Sequence, residues 1–187
     1  AAASDVYKRQ LAHPSSQAPV TMQQLRTHYG GIRDNWSAMG DFYAYGVDPA
    51  LSLQEVIEGY FQPAGDWYDA QANFSEEGPG ESFQYSNMGV ALAAYVVEKV
   101  TGQDFAERSH QTLFGPLGLT QTAWRLASFS DLDVLAMPYV LEQGEYAPVG
   151  HYTFADYPNG GLRASAYDLA RFVVAHLQGG SLDGVQI

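Results

Sequence analysis

Apolar residues recur at helical spacing in several stretches of the chain, and most of those stretches open on the polar signature of a helix N-terminus. Thr21-Met22-Gln23-Gln24 has capping-box form, a hydroxyl followed three residues on by a glutamine. It predicts a short helix that ends near Tyr29, where Gly30-Gly31 follows. Ser52-Leu53-Gln54-Glu55 repeats the device, with Leu53, Val56 and Ile57 on one face and Pro63 past the end. The clearest helix runs from about Asn87 to Val100, its stripe made of Met88, Leu92, Tyr95, Val96 and Val100, with Gly102 supplying a left-handed stop. Another helix is predicted near Asp104 to Leu113, closed by Gly115-Pro116 and Gly118. Ser165-Ala166-Tyr167-Asp168 opens a last one, which should carry Leu169, Phe172, Val173 and Leu177 inward and end at Gly179-Gly180.

Between these helices the pattern changes. Residues 64–84 are rich in Gly, acids, Gln and aromatics and read as a long loop, which in a compact domain usually has a functional reason. Residues 123–157 look irregular or strand-like, with alternating pieces at Ala147-Pro148-Val149 and His151-Tyr152-Thr153-Phe154. The segment Ser181-Leu182-Asp183-Gly184 reads as a turn into a strand.

Composition narrows the chemistry. The chain has 187 residues and a formal net charge of −12, with 9 basic against 21 acidic residues, which argues against nucleic acid as a partner. It has no cysteine, so disulfides, a thiolate nucleophile and thiolate-bound zinc are excluded. No apolar run approaches the roughly 20 residues of a spanning helix. No His-Glu-x-x-His, phosphate-binding Gly-rich loop, Gly-x-Ser-x-Gly or EF-hand loop occurs, and neither a metal nor another cofactor is expected. The start Ala1-Ala2-Ala3 and the stop at Gly184-Val185-Gln186-Ile187 both look cut. The stretch Ser4-Asp5-Val6-Tyr7-Lys8-Arg9-Gln10 resembles translated sequencing-adapter read-through. Residues 1–10 are therefore expected to be a non-native or disordered tail, and residues 11–187 a partial domain.

The segment that can carry chemistry is Gly78-Pro79-Gly80-Glu81-Ser82-Phe83-Gln84-Tyr85-Ser86-Asn87. In an extended stretch residues i and i+2 point to one side, so Tyr85 and Asn87 can face one cleft. A phenolate takes a proton from a nucleophilic hydroxyl and hands it to a leaving group. A carboxamide both donates to and accepts from a substrate amide. A free phenol titrates near pH 10, so the base needs a cation close by. The plainer alternative is that Ser86 or Asn87 caps the helix while Tyr85 packs as a hydrophobic staple.

Three blocks resemble the serine β-lactamase and penicillin-binding-protein superfamily, in particular its class C-like hydrolases, esterases and D-amino-acid peptidases. The first is Val20 to Ile32, with Thr27-His28-Tyr29-Gly30-Gly31; it departs from the family pattern at Arg26 and at Tyr29-Gly30. The second holds Tyr85-Ser86-Asn87, Val100-Thr101-Gly102 and Gly115-Pro116-Leu117-Gly118-Leu119-Thr120-Gln121-Thr122. The third is Tyr157-Pro158-Asn159-Gly160-Gly161-Leu162-Arg163-Ala164-Ser165-Ala166-Tyr167-Asp168-Leu169-Ala170-Arg171-Phe172. The resemblance implies an α/β (α+β) β-lactamase/transpeptidase-like fold, an antiparallel sheet flanked by helices, of which this chain covers mainly the helical region. It implies that Tyr85 is the general acid/base and Asn87 the substrate-amide binder, with Ser86 a spacer and not the nucleophile.

The family's nucleophile lies in a Ser-x-x-Lys, one helical turn bringing the ammonium beside the hydroxyl. Three residues before Lys8 stands Asp5, and three before Lys99 stands Val96, so the motif is missing. It belongs upstream of the first block, and the Lys-Thr-Gly or His-x-Gly strand belongs after the third. The expectation is thus a piece of a serine hydrolase, itself inactive, whose parent opens an amide, lactam or ester through an acyl-enzyme. The partner is a small-molecule or peptide substrate. The other reading is a penicillin-binding-like sensor or binding module that keeps the cleft without the nucleophile. Family habit and the lack of cysteine favour a periplasmic or extracellular location over the cytoplasm. Among aromatics between helices, Trp36, Tyr43, Tyr45, Trp67 and Tyr68 are candidates to line the cleft, with packing the alternative for each, and Asn159-Gly160-Gly161 is a candidate rim.

Overall fold

A computed structural model describes residues 11–187; the expected tail at 1–10 lies outside the described residues. The helices are α1 (Met22–Arg26), α2 (Trp36–Met39), α3 (Leu53–Phe61), α4 (Asn87–Thr101), α5 (Phe105–Ser109, running on as a wider turn through His110–Phe114) and α6 (Ala166–Leu177). Capping chemistry explains where they begin. Thr21 and Ser52 form complete capping boxes with Gln24 and Glu55, and Ser86, Asp104 and Ser165 each accept a backbone N–H from the first turn. Helix α1 stops at Arg26, before the expected Tyr29, because His28 takes a left-handed conformation (φ 59°). The Tyr29 amide then reaches back to the carbonyl of Gln24.

The strands are short: β1 (Tyr43–Tyr45), β2 (Thr122–Ala123), β3 (Tyr139–Glu142), β4 (Glu145–Pro148), β5 (Tyr152–Phe154), β6 (Arg163–Ala164), β7 (Ser181–Leu182) and β8 (Val185–Gln186). They pair antiparallel as β1–β5, β2–β6, β3–β4 and β7–β8. The expected antiparallel sheet is thus represented, among the described residues, by two-stranded ribbons only, and the chain is mostly helical. The β1–β5 register sets Tyr43 opposite Phe154 and Tyr45 opposite Tyr152, so one face of that ribbon is wholly aromatic.

The main core lies between α1, α3 and α4 and is closed by the 64–84 loop and the β5 region. Val56, Tyr60, Met88 and Ala91 are fully buried in it. The loop is pinned by Asn73, whose side chain donates to the carbonyls of Tyr60 and Trp67 at 2.9 and 2.8 Å and accepts from Asn35 at 3.0 Å. Trp67 and Tyr68 pack inward, Trp67 edge-on to Phe42 at 5.0 Å and Tyr68 against Phe74. Trp36 and Tyr45 remain exposed. A smaller core gathers Phe114, Leu117, Leu119, Ala175 and Leu182.

One expectation fails. The stripe predicted to face inward on α6 faces out: Leu169, Val173 and Leu177 are 54%, 48% and 83% exposed, and only Phe172 of the four is partly covered. The buried side of α6 is set by polar locks instead. Asp168, 1% exposed, accepts the Gln121 amide at 2.7 Å and the Thr122 hydroxyl at 2.8 Å, and Arg171 donates to the Leu117 carbonyl at 2.9 Å. Ala175 completes that side one turn later, which rotates Leu169, Val173 and Leu177 away from the protein.

Candidate active site

The Pro79-Gly80 turn delivers an extended Phe83-Gln84-Tyr85 segment to the N-terminus of α4. Ser86 caps that helix, its Oγ accepting the Gly89 amide at 2.9 Å while its hydroxyl donates to Asp34 at 3.1 Å. Buried and engaged on both sides, Ser86 has no free hydroxyl to offer as a nucleophile. Tyr85 is 55% exposed and is not a buried staple. Its hydroxyl donates to Asn87 Oδ1 at 3.3 Å, so the two predicted residues lie side by side.

Asp34 was invisible to the sequence reasoning. Its Oδ1 accepts from Ser86 Oγ and the Met88 amide, both at 3.1 Å, and its Oδ2 accepts from the Asn87 amide at 3.0 Å and from Asn87 Nδ2 at 2.7 Å. A carboxylate against the first turn of a 15-residue helix is favoured by the helix dipole, and charge-assisted bonds of this kind are worth about 1.5–3 kcal/mol each. Capping residues normally stand beside their helix; this one lies more than 50 residues upstream, which leaves no local signal. The segment carrying Asp34 is itself braced. Tyr60 donates its hydroxyl to the Arg33 carbonyl and accepts the Asn35 amide, both at 2.8 Å, and burial raises its pKa well above that of a free phenol.

His28 joins from the first sequence block. Its Nδ1 accepts the Ser86 amide at 3.3 Å, and its ring lies 4.5 Å from that of Tyr85, tilted by 34°. Because Nδ1 is an acceptor, Nε2 carries the proton in this arrangement. Asp156 lies nearby with its carboxylate 2% exposed; burial, together with the charge of Asp34, pushes its pKa up to about 6, against a bond from Asn159 Nδ2 that lowers it. The candidate rim residue Asn159 is thereby tied to Asp156. Neither Lys99 nor any arginine among the described residues bonds to the Tyr85 hydroxyl, and Lys99 is engaged with Gln54 and the Tyr95 ring.

A groove of about 1210 Å³ runs along the α1–α3–α4 core between Leu11, Val20, Leu25, Ile57, Phe61 and Leu92, and none of Tyr85, Ser86 or Asn87 lines it. Its polar residues Gln54, Glu58, Tyr95 and Lys99 bond one another along one rim. No group of three His, Asp or Glu suited to hold a metal occurs among the described residues.

A tyrosine and a carboxamide two residues apart thus stand bonded to each other at the start of α4, the carboxamide held from behind by a carboxylate. The Beta-lactamase family profile matches residues 7–186, and the chain belongs to that family. Penicillin-binding protein 4* of Bacillus subtilis is 27% identical over 112 residues, covering 55% of this chain and 21% of that protein. The D-amino acid amidase from Ochrobactrum anthropi SV3 shares the fold, with a TM-score of 0.66 at 16% identity, covering 97% of this chain and 53% of that one. The hydrolase EstCE1 superposes with a TM-score of 0.66 at 20% identity, covering 95% of this chain and 50% of its own. The chain thus spans about a fifth of the curated relative and about half of these two solved structures. No helix among the described residues is long and apolar enough to cross a membrane.

Proposed function

We propose that this chain is the acid/base-bearing part of a serine hydrolase that opens an amide, lactam or ester through an acyl-enzyme. Tyr85 is the general acid/base and Asn87 the group that binds the substrate amide. A serine hydroxyl attacks the carbonyl carbon while its proton passes to the Tyr85 phenolate. The same proton then leaves with the departing nitrogen or oxygen as the C–N or C–O bond breaks, and water releases the acyl group. The serine and the cation that favours the phenolate lie in a Ser-x-x-Lys outside this sequence, and the 187 residues by themselves are inactive.

The observation that carries this reading is the Tyr85–Asn87 pair, 3.3 Å apart at the exposed end of α4, with Ser86 consumed as a cap. That the chain's relatives and structural neighbours include a penicillin-binding protein, a D-amino acid amidase and a hydrolase with promiscuous acyltransferase activity supports the reaction class. The test is turnover of nitrocefin, p-nitrophenyl esters and D-amino acid amides by the full-length gene product. Wild type should turn over at least one of them, and Tyr85→Phe should lower kcat by about 10²–10⁴-fold. Unchanged kcat in Tyr85→Phe would remove Tyr85 from the acid/base role, and a full-length protein that binds penicillin without an acylated serine would point to a binding module.

A further inference from the structure

We propose that Asp34 is the positioning residue of this site, fixing the Asn87 carboxamide with its nitrogen turned inward and its oxygen toward the Tyr85 hydroxyl. The oxygen and nitrogen of a carboxamide differ little in shape, so its orientation is decided by what it bonds. An ionised carboxylate only accepts, and Asp34 Oδ2 stands 2.7 Å from one end of the Asn87 amide; that end is the NH₂. Oδ1 then faces Tyr85, the one donor bonded to it, at 3.3 Å. The result is a directed line from the tyrosine O–H through the carboxamide to a negative charge. The charge polarises the amide toward its oxygen, which strengthens Oδ1 as an acceptor. Asn87 keeps one lone pair on Oδ1 and one N–H for a ligand.

The clamp is pre-organised. Asp34 sits between Arg33 and Asn35, both gripped by the Tyr60 hydroxyl, and the Arg33 amide donates to the Asn73 carbonyl at 2.9 Å. Replacing Asp34 by asparagine turns one acceptor into a donor. Where the new NH₂ takes the Oδ2 position it meets the Asn87 NH₂, and pairing it takes a flip of Asn87, so that Tyr85 meets an N–H in place of a carbonyl.

The orientation can be read without catalysis, on the 187-residue chain. In a ¹⁵N-labelled sample one of the two Asn87 side-chain N–H signals should be shifted downfield and protected from solvent exchange. Both features should persist in Tyr85→Phe and vanish in Asp34→Asn. Two Asn87 side-chain signals at ordinary carboxamide shifts, both exchanging freely with solvent in wild type, would overturn the clamp even where Asp34→Asn fails to fold. The second arm rests on the hydrolase reading and uses the full-length protein. Below the melting transition, Asp34→Asn should lose about a hundredfold in kcat, the scale of a misplaced reacting geometry. The matched control, Ser52→Ala, removes the cap of α3 and should lower Tm with kcat unchanged. Equal kcat per folded molecule in Asp34→Asn and wild type would reduce Asp34 to a helix cap. A full-length wild type with no turnover would sink the hydrolase reading and leave the spectroscopic result standing.

Discussion

Helices α4 and α6 start alike and end up differently. Both follow a serine N-cap, and both carry an apolar stripe at helical spacing. On α4 the stripe is in the core: Met88 is fully buried, Leu92 is 8% exposed and Tyr95 and Val96 are half-buried, with only Val100 of the predicted stripe turned out, at 71%. On α6 the stripe is open, Leu177 reaching 83%, while Asp168 and Ala175 take the buried side. A hydrophobic pattern says which face wants cover; the hydrogen bonds of Asp168 and Arg171 decide which face receives it.

The largest expected effect breaks this comparison if it is absent. Met88→Ala should cost about 2–5 kcal/mol, since a fully buried methionine leaves a cavity. At about 2–4 °C per kcal/mol for a chain of this size, Tm should fall by roughly 10 °C in calorimetry.

Next in size is a pH effect at Asp156, one of the two buried carboxylates. Asp168 is met by an N–H and an O–H from the neighbouring segment, whereas the Asp156 carboxylate, beneath α4, has the Asn159 side chain and its own backbone. The pKa of Asp156 is raised to about 6 from 3.8, so the native state prefers the protonated acid. Its contribution is fully present below pH 3.8 and is lost as pH rises through about 6, worth about 3 kcal/mol. Urea denaturation from pH 4 to pH 7 should show that decline, and Asp156→Asn should flatten it.

The caps should then behave alike in both regions, because capping needs no cover from elsewhere. Ser165→Ala should cost about 1 kcal/mol in denaturation, and Ser86→Ala at least as much, since it also takes a donor from Asp34. The smallest effect belongs to the open stripe. Leu177→Gln should change stability by less than about 0.5 kcal/mol, and a loss as large as that of Met88→Ala would mean the stripe is covered after all.

Local chemistry was readable in the sequence and distant pairing was not. The caps at Thr21, Ser52 and Ser165 and the start of α4 follow from the capping residue and a few residues after it. The side-by-side placement of Tyr85 and Asn87 follows from the period of an extended strand. Asp34, by contrast, bonds residues 52 to 54 positions away, and the Asp168 lock on Thr122 spans 46. Such contacts carry no local periodicity. The same limit produced the error on α6, where periodicity fixed the stripe while a remote threonine fixed the helix's rotation.

The most direct test is intact-mass analysis after brief incubation with a penicillin, a p-nitrophenyl ester and a D-amino acid amide, on the 187-residue chain and on the full-length gene product in parallel. The 187-residue chain should carry no adduct. The full-length protein should carry one acyl adduct with at least one of the three, mapping to the serine of a Ser-x-x-Lys outside this sequence. An adduct on Ser86, or on any serine within 11–187, would contradict that assignment.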